Sequence, residues 1–274
     1  MTAPNPQPAY ATKALDLLGT LAVKGRAPMT GYSRDQFGAA WADVDHNGCD
    51  TRNDVLKRDL KNATFKAGSH DCIVLSGTLN EPYLPSVIQF VRGAATSSAV
   101  QIDHVVALGD AWQKGAQQLS GAQRLALAND PLNLLAVDGP ANMQKGDGDA
   151  ATWLPRNKSY RCDYVARQIS VKATYGLWVT QAEHDAMASV LGNCADALAP
   201  TDQHAPAPVQ QPAPQPAPAP VQQPAPQPAP VPAPAAAYYA NCTAVRAAGK
   251  APLLLGQPGY STKLDRDGDG IACE

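Results

Sequence analysis

The sequence predicts an α+β domain over residues 1–199, an extended spacer over 200–237 and a small stapled module over 238–274. Three observations carry that prediction. Residues 72–79, 87–91 and 99–108 are rich in β-branched side chains and lie between Gly, Pro and Ser punctuation, the pattern of strands. Residues 12–23, 159–175 and 180–192 instead show helical apolar spacing with start and stop signals. Residues 200–237 contain fourteen prolines, and the unit PAPVQQPAPQPA stands at 206–217 and again, unchanged, at 218–229.

Taken in order, the first helix places Leu15, Leu18 and Ala22 on one face before Gly25 ends it. Ser33 and Gln36 have the spacing of a capping box that introduces Phe37 and Trp41, both read as core aromatics. Residues 43–54 imitate a calcium loop at their first positions, with Asp54 where a bidentate Glu is usual and with Cys49 and Arg52 interposed. A turn stapled by Cys49 is the plainer reading. After the strands, the helix over 159–175 closes at Gly176, and Thr180 with Glu183 makes a second capping box for a helix ending near Gly192. The proline-rich segment lacks the apolar bulk for a core. As polyproline II it could separate two modules by up to roughly 110 Å.

Of the 274 residues 45% are hydrophobic and 17% charged, enough for one sizeable globular domain and something small beside it. No apolar run approaches the roughly 20 residues that cross a bilayer. The start, Met-Thr-Ala-Pro-Asn-Pro, shows no basic region followed by an apolar one, so the protein is either cytosolic or a secreted or cell-surface protein whose signal peptide has been removed. The cysteines agree with export. Cys49, Cys72, Cys162, Cys194, Cys242 and Cys273 are even in number, dispersed and free of CxxC, which favours disulfides, most simply in sequential pairs. Residues 1–199 hold 18 Lys and Arg against 19 Asp and Glu, a net of −1, so no overall basic footprint marks a sequence-specific duplex binder.

The chemistry concentrates in Ile102-Asp103-His104-Val105-Val106-Ala107-Leu108, followed by Asn133-Leu134-Leu135 and Asn142-Met143-Gln144-Lys145-Gly146-Asp147. An apolar run delivers an adjacent carboxylate and imidazole, and two carboxamides follow at distances that a hairpin and a short helix can fold back. Hydrolysis of a phosphodiester needs a base for water and a divalent cation for the charge on phosphate and leaving oxygen. Strand neighbours point to opposite faces, so the strand must end or bend near Asp103 and His104 for both to serve one point. Singly, each residue has a plainer role: Asn133 as a turn residue, Asn142 as a helix cap, and Lys145 as the partner of Asp149 at i,i+4 rather than a phosphate contact.

At these residues the chain resembles the HNH nuclease superfamily with its ββα-metal site, over residues 101–150 and running on to about 194. The resemblance implies that His104 is the general base, that Asp103 and Asn142 hold the metal, and that Asn133 orients the imidazole. Asn142 stands where many members have a final histidine, and an oxygen pair of this kind favours magnesium or manganese over zinc. Residues 41–52 look like a stretch that recurs in secreted HNH-type proteins, which would place Asp50 and Arg52 in the substrate cleft. Arg156, Arg161 and Arg167 are the candidates for a cation at the transition state.

Residues 238–274 are too few for a self-sufficient core, and the sequence offers both a staple and a metal. Cys242 can bridge Cys273, and Asp265-Arg266-Asp267-Gly268-Asp269-Gly270-Ile271-Ala272-Cys273-Glu274 presents oxygen ligands at alternating positions around a glycine turn. The module resembles the Excalibur family of small extracellular calcium-binding domains. That implies Ca²⁺ held by Asp265, Asp267, Asp269 and Glu274 with the Ile271 carbonyl. The whole reads as an exported endonuclease acting on nucleic acid, DNA rather than RNA, with little sequence specificity. The competing readings are a non-catalytic, calcium-dependent cell-surface or matrix-binding protein on a nuclease fold, and an intracellular restriction or repair nuclease.

Overall fold

A computed structural model describes residues 3–201 and 238–274. They belong to two compact units, taken separately below. The spacer expected over 200–237 lies, apart from its first two residues, outside the described residues.

The first unit runs α1 (Ala14–Leu18), α2 (Thr51–Asp59), β1 (Leu60–Phe65), β2 (Val74–Glu81), β3 (Ser86–Val91), β4 (Val100–His104), α3 (Leu108–Gln113), α4 (Gly121–Asn129), β5 (Leu134–Asp138), α5 (Gly139–Lys145), α6 (Arg161–Tyr175) and α7 (Gln181–Leu191). The second contains α8 (Cys242–Ala247), β6 (Leu253–Leu254) and β7 (Ile271–Ala272). The class is mixed helix and sheet, with disulfides Cys49–Cys72, Cys162–Cys194 and Cys242–Cys273, the sequential pairing. β1, β2 and β3 form an antiparallel meander, and β4 and β5 a separate antiparallel pair with Asp103 opposite Leu135 and His104 opposite Leu134.

That pair is sandwiched. Val100, Ile102, Leu134 and Ala136 pack with Val55, Leu56, Leu79 and Phe90 from α2 and the meander. Leu135 and Val137, on the other face, pack with Val165 and Ile169 of α6. Alternation along the strand therefore sends Asp103 toward α6 and His104 toward α2, as period-two geometry requires. α5 begins directly after β5, capped by the Asp138 side chain, which accepts from Ala141 N at 2.8 Å. Only glycine fits at 139, because a Cβ there would lie 2.3 Å from the Ser98 carbonyl oxygen.

Two expectations are corrected. The helix over 12–23 shrinks to Ala14–Leu18, because Val23 leaves it to bridge Val179 in parallel, with Lys24 N donating to Val179 O. Leu18 is buried, whereas Leu15 and Ala22 are exposed. Ser33 makes no side-chain cap. Residues Arg34–Phe37 form one 3₁₀ turn, too tight for the reciprocal box, with Phe37 buried beneath it. By contrast, the Thr180–Glu183 capping box forms in full and Gly176 ends α6 in the left-handed region at φ 63°.

Glu81, at the end of β2, is 4% exposed and accepts from Tyr83 N at 2.8 Å. Burial pushes its carboxyl up to about 6, from an ordinary 4.5. The folded state therefore binds this proton more tightly than the unfolded chain. The associated stability is complete below the unfolded value and is lost as pH rises through the folded one, about 2 kcal/mol in all. Glu81→Gln is expected to unfold in urea with about 1–2 kcal/mol more stability than the parent at pH 7, the gap closing toward pH 4. Equal stability at pH 7 would remove this account.

Candidate functional site

β4 ends at His104, and residues 105 and 106 turn away from it. Asp103 and His104, on opposite faces of the strand, consequently both reach one polar cavity of about 210 Å³ at its end. Asn142 from α5 and Asp147 just beyond it line the same cavity, with Arg34 at its edge. The short β5–α5 connection is what carries Asn142 back to the end of β4.

The imidazole is set by backbone. His104 Nε2 lies 2.9 Å from the Ala128 carbonyl oxygen, in the last turn of α4, where helix carbonyls lack intrahelical partners. A carbonyl can only accept, so Nε2 carries the hydrogen and Nδ1 is the basic nitrogen of the neutral ring. Burial pulls the imidazole down to about 4, partly offset by the Ala128 carbonyl, so the ring is neutral at pH 7.

Asn133 is fully buried and does not touch the ring. Its Oδ1 accepts from Val106 N at 2.8 Å, and its Nδ2 donates to Leu127 O at 3.2 Å. It ties the backbone after His104 to the turn of α4 that supplies the Ala128 carbonyl. Its backbone N also donates to Asp130 O, so the turn role and the clamp coexist.

Asp103 is 4% exposed, with Tyr83 Oη donating to Oδ2 at 2.5 Å and Lys145 Nζ to Oδ1 at 3.0 Å. Burial raises its carboxyl above the ordinary range, while Lys145 and Tyr83 act in the opposite direction. Each carboxylate oxygen has a second lone-pair site, so these bonds leave Asp103 able to ligate a cation. Asn142 donates through Nδ2 to Gln101 Oε1 at 2.9 Å, so its oxygen is the atom that could ligate a cation. These hard oxygens suit a divalent cation of the magnesium or manganese type.

The pairing of Lys145 with Asp149 is corrected. α5 ends at Lys145, so the two do not share a helix face, and Lys145 donates to Asp103 and to His104 O at 2.8 Å. Asp149 instead meets Lys114 at 2.8 Å and Arg26 at 2.5 Å. These belong to a buried network in which Lys114 also meets Asp110 and Glu183, each at 2.6 Å, and Lys172 meets Glu183 at 3.0 Å.

The other expected residues lie elsewhere. Asp50 caps α2 by accepting from Asn53 N, and Arg52 ties α2 to β4 by donating to Val100 O. Arg161 donates to Pro155 O, Arg167 to Leu132 O and Pro131 O, and Arg156 is exposed; none lines the cavity at His104. The cation that the structure brings there is Arg34, exposed on the 3₁₀ turn. Seventy residues of chain separate it from His104 without any shared motif, so no local signal marks it. Asp147 was in view within the motif, but its place beside the helix start of α3 is tertiary. A Cβ at Gly109 would lie 2.4 Å from Asp147 Oδ2. In the loop over 43–54, Asp43 and Asp45 accept from Asn47 N, and the Asn47 amide bridges Asp45 and Asp54.

In the second unit, Asp265, Asp267 and Asp269 bring carboxylate oxygens within 4.8 Å of one another, the one such cluster of three acidic, His or Cys groups among the described residues. Gly268 N and Gly270 N each donate to Asp265 at 2.9 Å. The Tyr260 hydroxyl, 2.5 Å from Asp265 Oδ2, holds that carboxyl below the usual range, so Asp265 is ionised at neutral pH. Three converging anionic oxygens on a glycine-turned loop fit a calcium ion. Glu274 is exposed, and its carbonyl accepts from Arg246 at 2.7 Å.

Residues 50–190 match the family described as GmrSD restriction endonucleases, C-terminal domain, and the chain belongs to that family. Residues 239–274 match the Excalibur calcium-binding domain. A protein of Arthroderma benhamiae named "Uncharacterized secreted protein" is 39% identical over 188 residues, covering 67% of this chain and 86% of the relative. No solved structure matches the chain.

Proposed function

We propose that this protein is an exported, cation-dependent endonuclease of the HNH type, with β4, β5 and α5 as the ββα-metal core. The observation that carries the reading is the His104 imidazole, with Nε2 committed to the Ala128 carbonyl and Nδ1 left basic, in one cavity with Asp103 and Asn142. The three parts of the chain would then be the nuclease domain at 1–199, the spacer at 200–237 and the calcium module at 238–274.

His104 Nδ1 takes a proton from water as the water oxygen forms its bond to phosphorus, and the bond from phosphorus to the 3′ oxygen breaks in line, leaving a 5′-phosphate end. Asp103 and Asn142 would hold a magnesium or manganese ion, and Lys145 and Tyr83 fix the Asp103 carboxylate. The bound cation supplies positive charge for the phosphate and the leaving oxygen. Arg34 neutralises a second phosphate oxygen from the rim. Asn133 is a positioning residue. The substrate is nucleic acid, DNA before RNA, and the near-neutral balance of residues 1–199 suits weak, sequence-indifferent binding. Export fits the three disulfides and the name of the fungal relative, and no helix among the described residues is long and apolar enough to cross a membrane.

The deciding experiment is incubation of the full chain with plasmid DNA and with RNA, in magnesium, manganese or calcium and with a chelator. Cleavage that requires a cation supports the reading. No cleavage of either under any cation would transfer support to a calcium-dependent surface- or matrix-binding role.

Asp265, Asp267 and Asp269, with Glu274 and the Ile271 carbonyl, are assigned to calcium. Calorimetric titration of the full chain is expected to show calcium binding that Asp267→Ala removes, with little change in plasmid cleavage. At calcium a hundredfold above Kd, the second unit should gain about 2.7 kcal/mol of stability. Equal calcium binding by the variant would overturn the assignment.

A further inference from the structure

His104 separates two cavities. The polar one holds Asp103 and Asn142. The other, about 120 Å³, shares His104, Arg34 and Leu108 with it but is otherwise walled by Asp35, residues 37–41 and the end of α4. We propose that this second cavity is a nucleobase subsite, which takes an unpaired base adjoining the scissile phosphate; the proposal rests on the nuclease reading above.

Its wall has the two surfaces a base needs. Trp41 is partly buried and sits at φ 58°, in the left-handed region where a bulky side chain is an outlier. Such a backbone persists only where surrounding structure enforces it, and it concentrates at binding sites. Here Gly38, at φ 79°, presses residues 37–41 onto α4 so closely that a Cβ would lie 2.7 Å from Leu125 Cδ1. The indole offers a face on which any base can stack. The edge is offered by Asn129, which is 1% exposed. Its Nδ2 donates to Leu125 O at 3.0 Å, while its buried Oδ1 has no partner. A buried acceptor without a donor is unfavourable, and an exocyclic amino group supplies that donor.

Size and charge select the ligand class. The cavity admits a single heteroaromatic ring and not a folded peptide segment. Its shared rim carries the cation and imidazole already assigned to the phosphate, so a ring tethered to a phosphate spans both. A base inside a duplex has both faces stacked and its pairing edge occupied, so the subsite favours single-stranded or locally unpaired nucleic acid. Little discrimination among bases with an exocyclic amino group follows, because one acceptor reads no full pattern.

The test uses single-stranded oligonucleotides with an abasic position on one side or the other of the cleaved bond, cut in magnesium or manganese by the full chain. The variants are Trp41→Ala and Ala40→Leu. Trp41 also packs on the core beside α2, so its loss carries a folding risk. Ala40 is exposed on the wall, and leucine there fills the cavity without touching the core. For the wild type, the abasic position on one side should raise KM roughly 5- to 150-fold, the range for loss of one stacked base. kcat should change far less. Ala40→Leu should raise KM for the intact strand similarly and no longer distinguish the abasic one. Unchanged KM in Ala40→Leu, or equal KM for intact and abasic strands in the wild type, would overturn the subsite while cleavage itself upholds the nuclease. If the wild type cuts nothing, the nuclease reading fails separately. Titration with nucleoside monophosphates then decides the cavity: tryptophan quenching in the wild type, absent in Ala40→Leu, upholds it, and no quenching removes it.

Discussion

Replacing His104 with alanine is expected to lower kcat for phosphodiester cleavage roughly 10²- to 10⁴-fold, with KM within a few-fold of the wild type. The expectation follows from where the ring is held. The hydrogen bond from Nε2 to Ala128 O fixes the tautomer, and Nδ1 is left to take the proton of the attacking water. Alanine deletes the base without touching Asp103, whose own partners are Tyr83 and Lys145. A chelator should abolish what activity remains. Arg34→Ala should also lose activity, since no other candidate arginine lines that cavity. Plasmid cleavage followed by steady-state kinetics on a short oligonucleotide measures all three. A His104→Ala protein that cuts at the wild-type rate would remove the imidazole from the mechanism whatever the cation requirement.

Lys114→Met should be the most damaging single change to the first unit, costing about 3–5 kcal/mol and lowering Tm by roughly 10 °C. Lys114 has no exposed surface and holds three carboxylates together, Asp110, Asp149 and Glu183, at 2.6–2.8 Å. Burial works against the charge of neighbouring Lys172, but Asp110 and Glu183 outweigh it and hold its pKa above the ordinary value. The network of three acids and three bases, counting Arg26, is balanced. Methionine fills the volume yet leaves buried negative charge uncompensated, and that imbalance, more than the lost attraction, destabilises the fold. Because Asp149 follows the segment carrying Lys145 and Asp147, the variant should also loosen the site. Thermal unfolding of parent and variant at pH 7 decides the matter. A Tm within a degree or two of the parent would show that other groups absorb the charge.

Much of the lining of the cavity at His104 was legible in the sequence. Asp103, His104, Asn133 and Asn142 stand out through their joint occurrence in order and through the family resemblance, since each alone has a plainer reading. The carboxylates of residues 265–269 were equally plain, since alternating Asp with Gly needs no tertiary partner to make a turn. Lys145 was misread because i,i+4 spacing presumes that the helix continues, and it stops at Lys145 itself. The first helix was overextended because its apolar spacing says nothing about Val23 being drawn off to pair with Val179.

By itself the sequence determined the mixed helix and sheet class, the sequential pairing of six cysteines as the simplest arrangement, the two capped ends around residues 176–183 and the residue types able to do the chemistry. These depend on neighbours within a few positions, where periodicity, capping and turn preferences act. Only the tertiary structure decided that Asn133 works through the backbone of Val106 and Leu127, that Lys145 belongs to Asp103, and that Arg34 and not Arg156, Arg161 or Arg167 stands beside His104. Those choices are made by which helix end or loop packs against the end of β4. Buried charge and hydrogen-bond satisfaction are settled among groups distant in sequence, and no local pattern encodes which of several equivalent partners arrives.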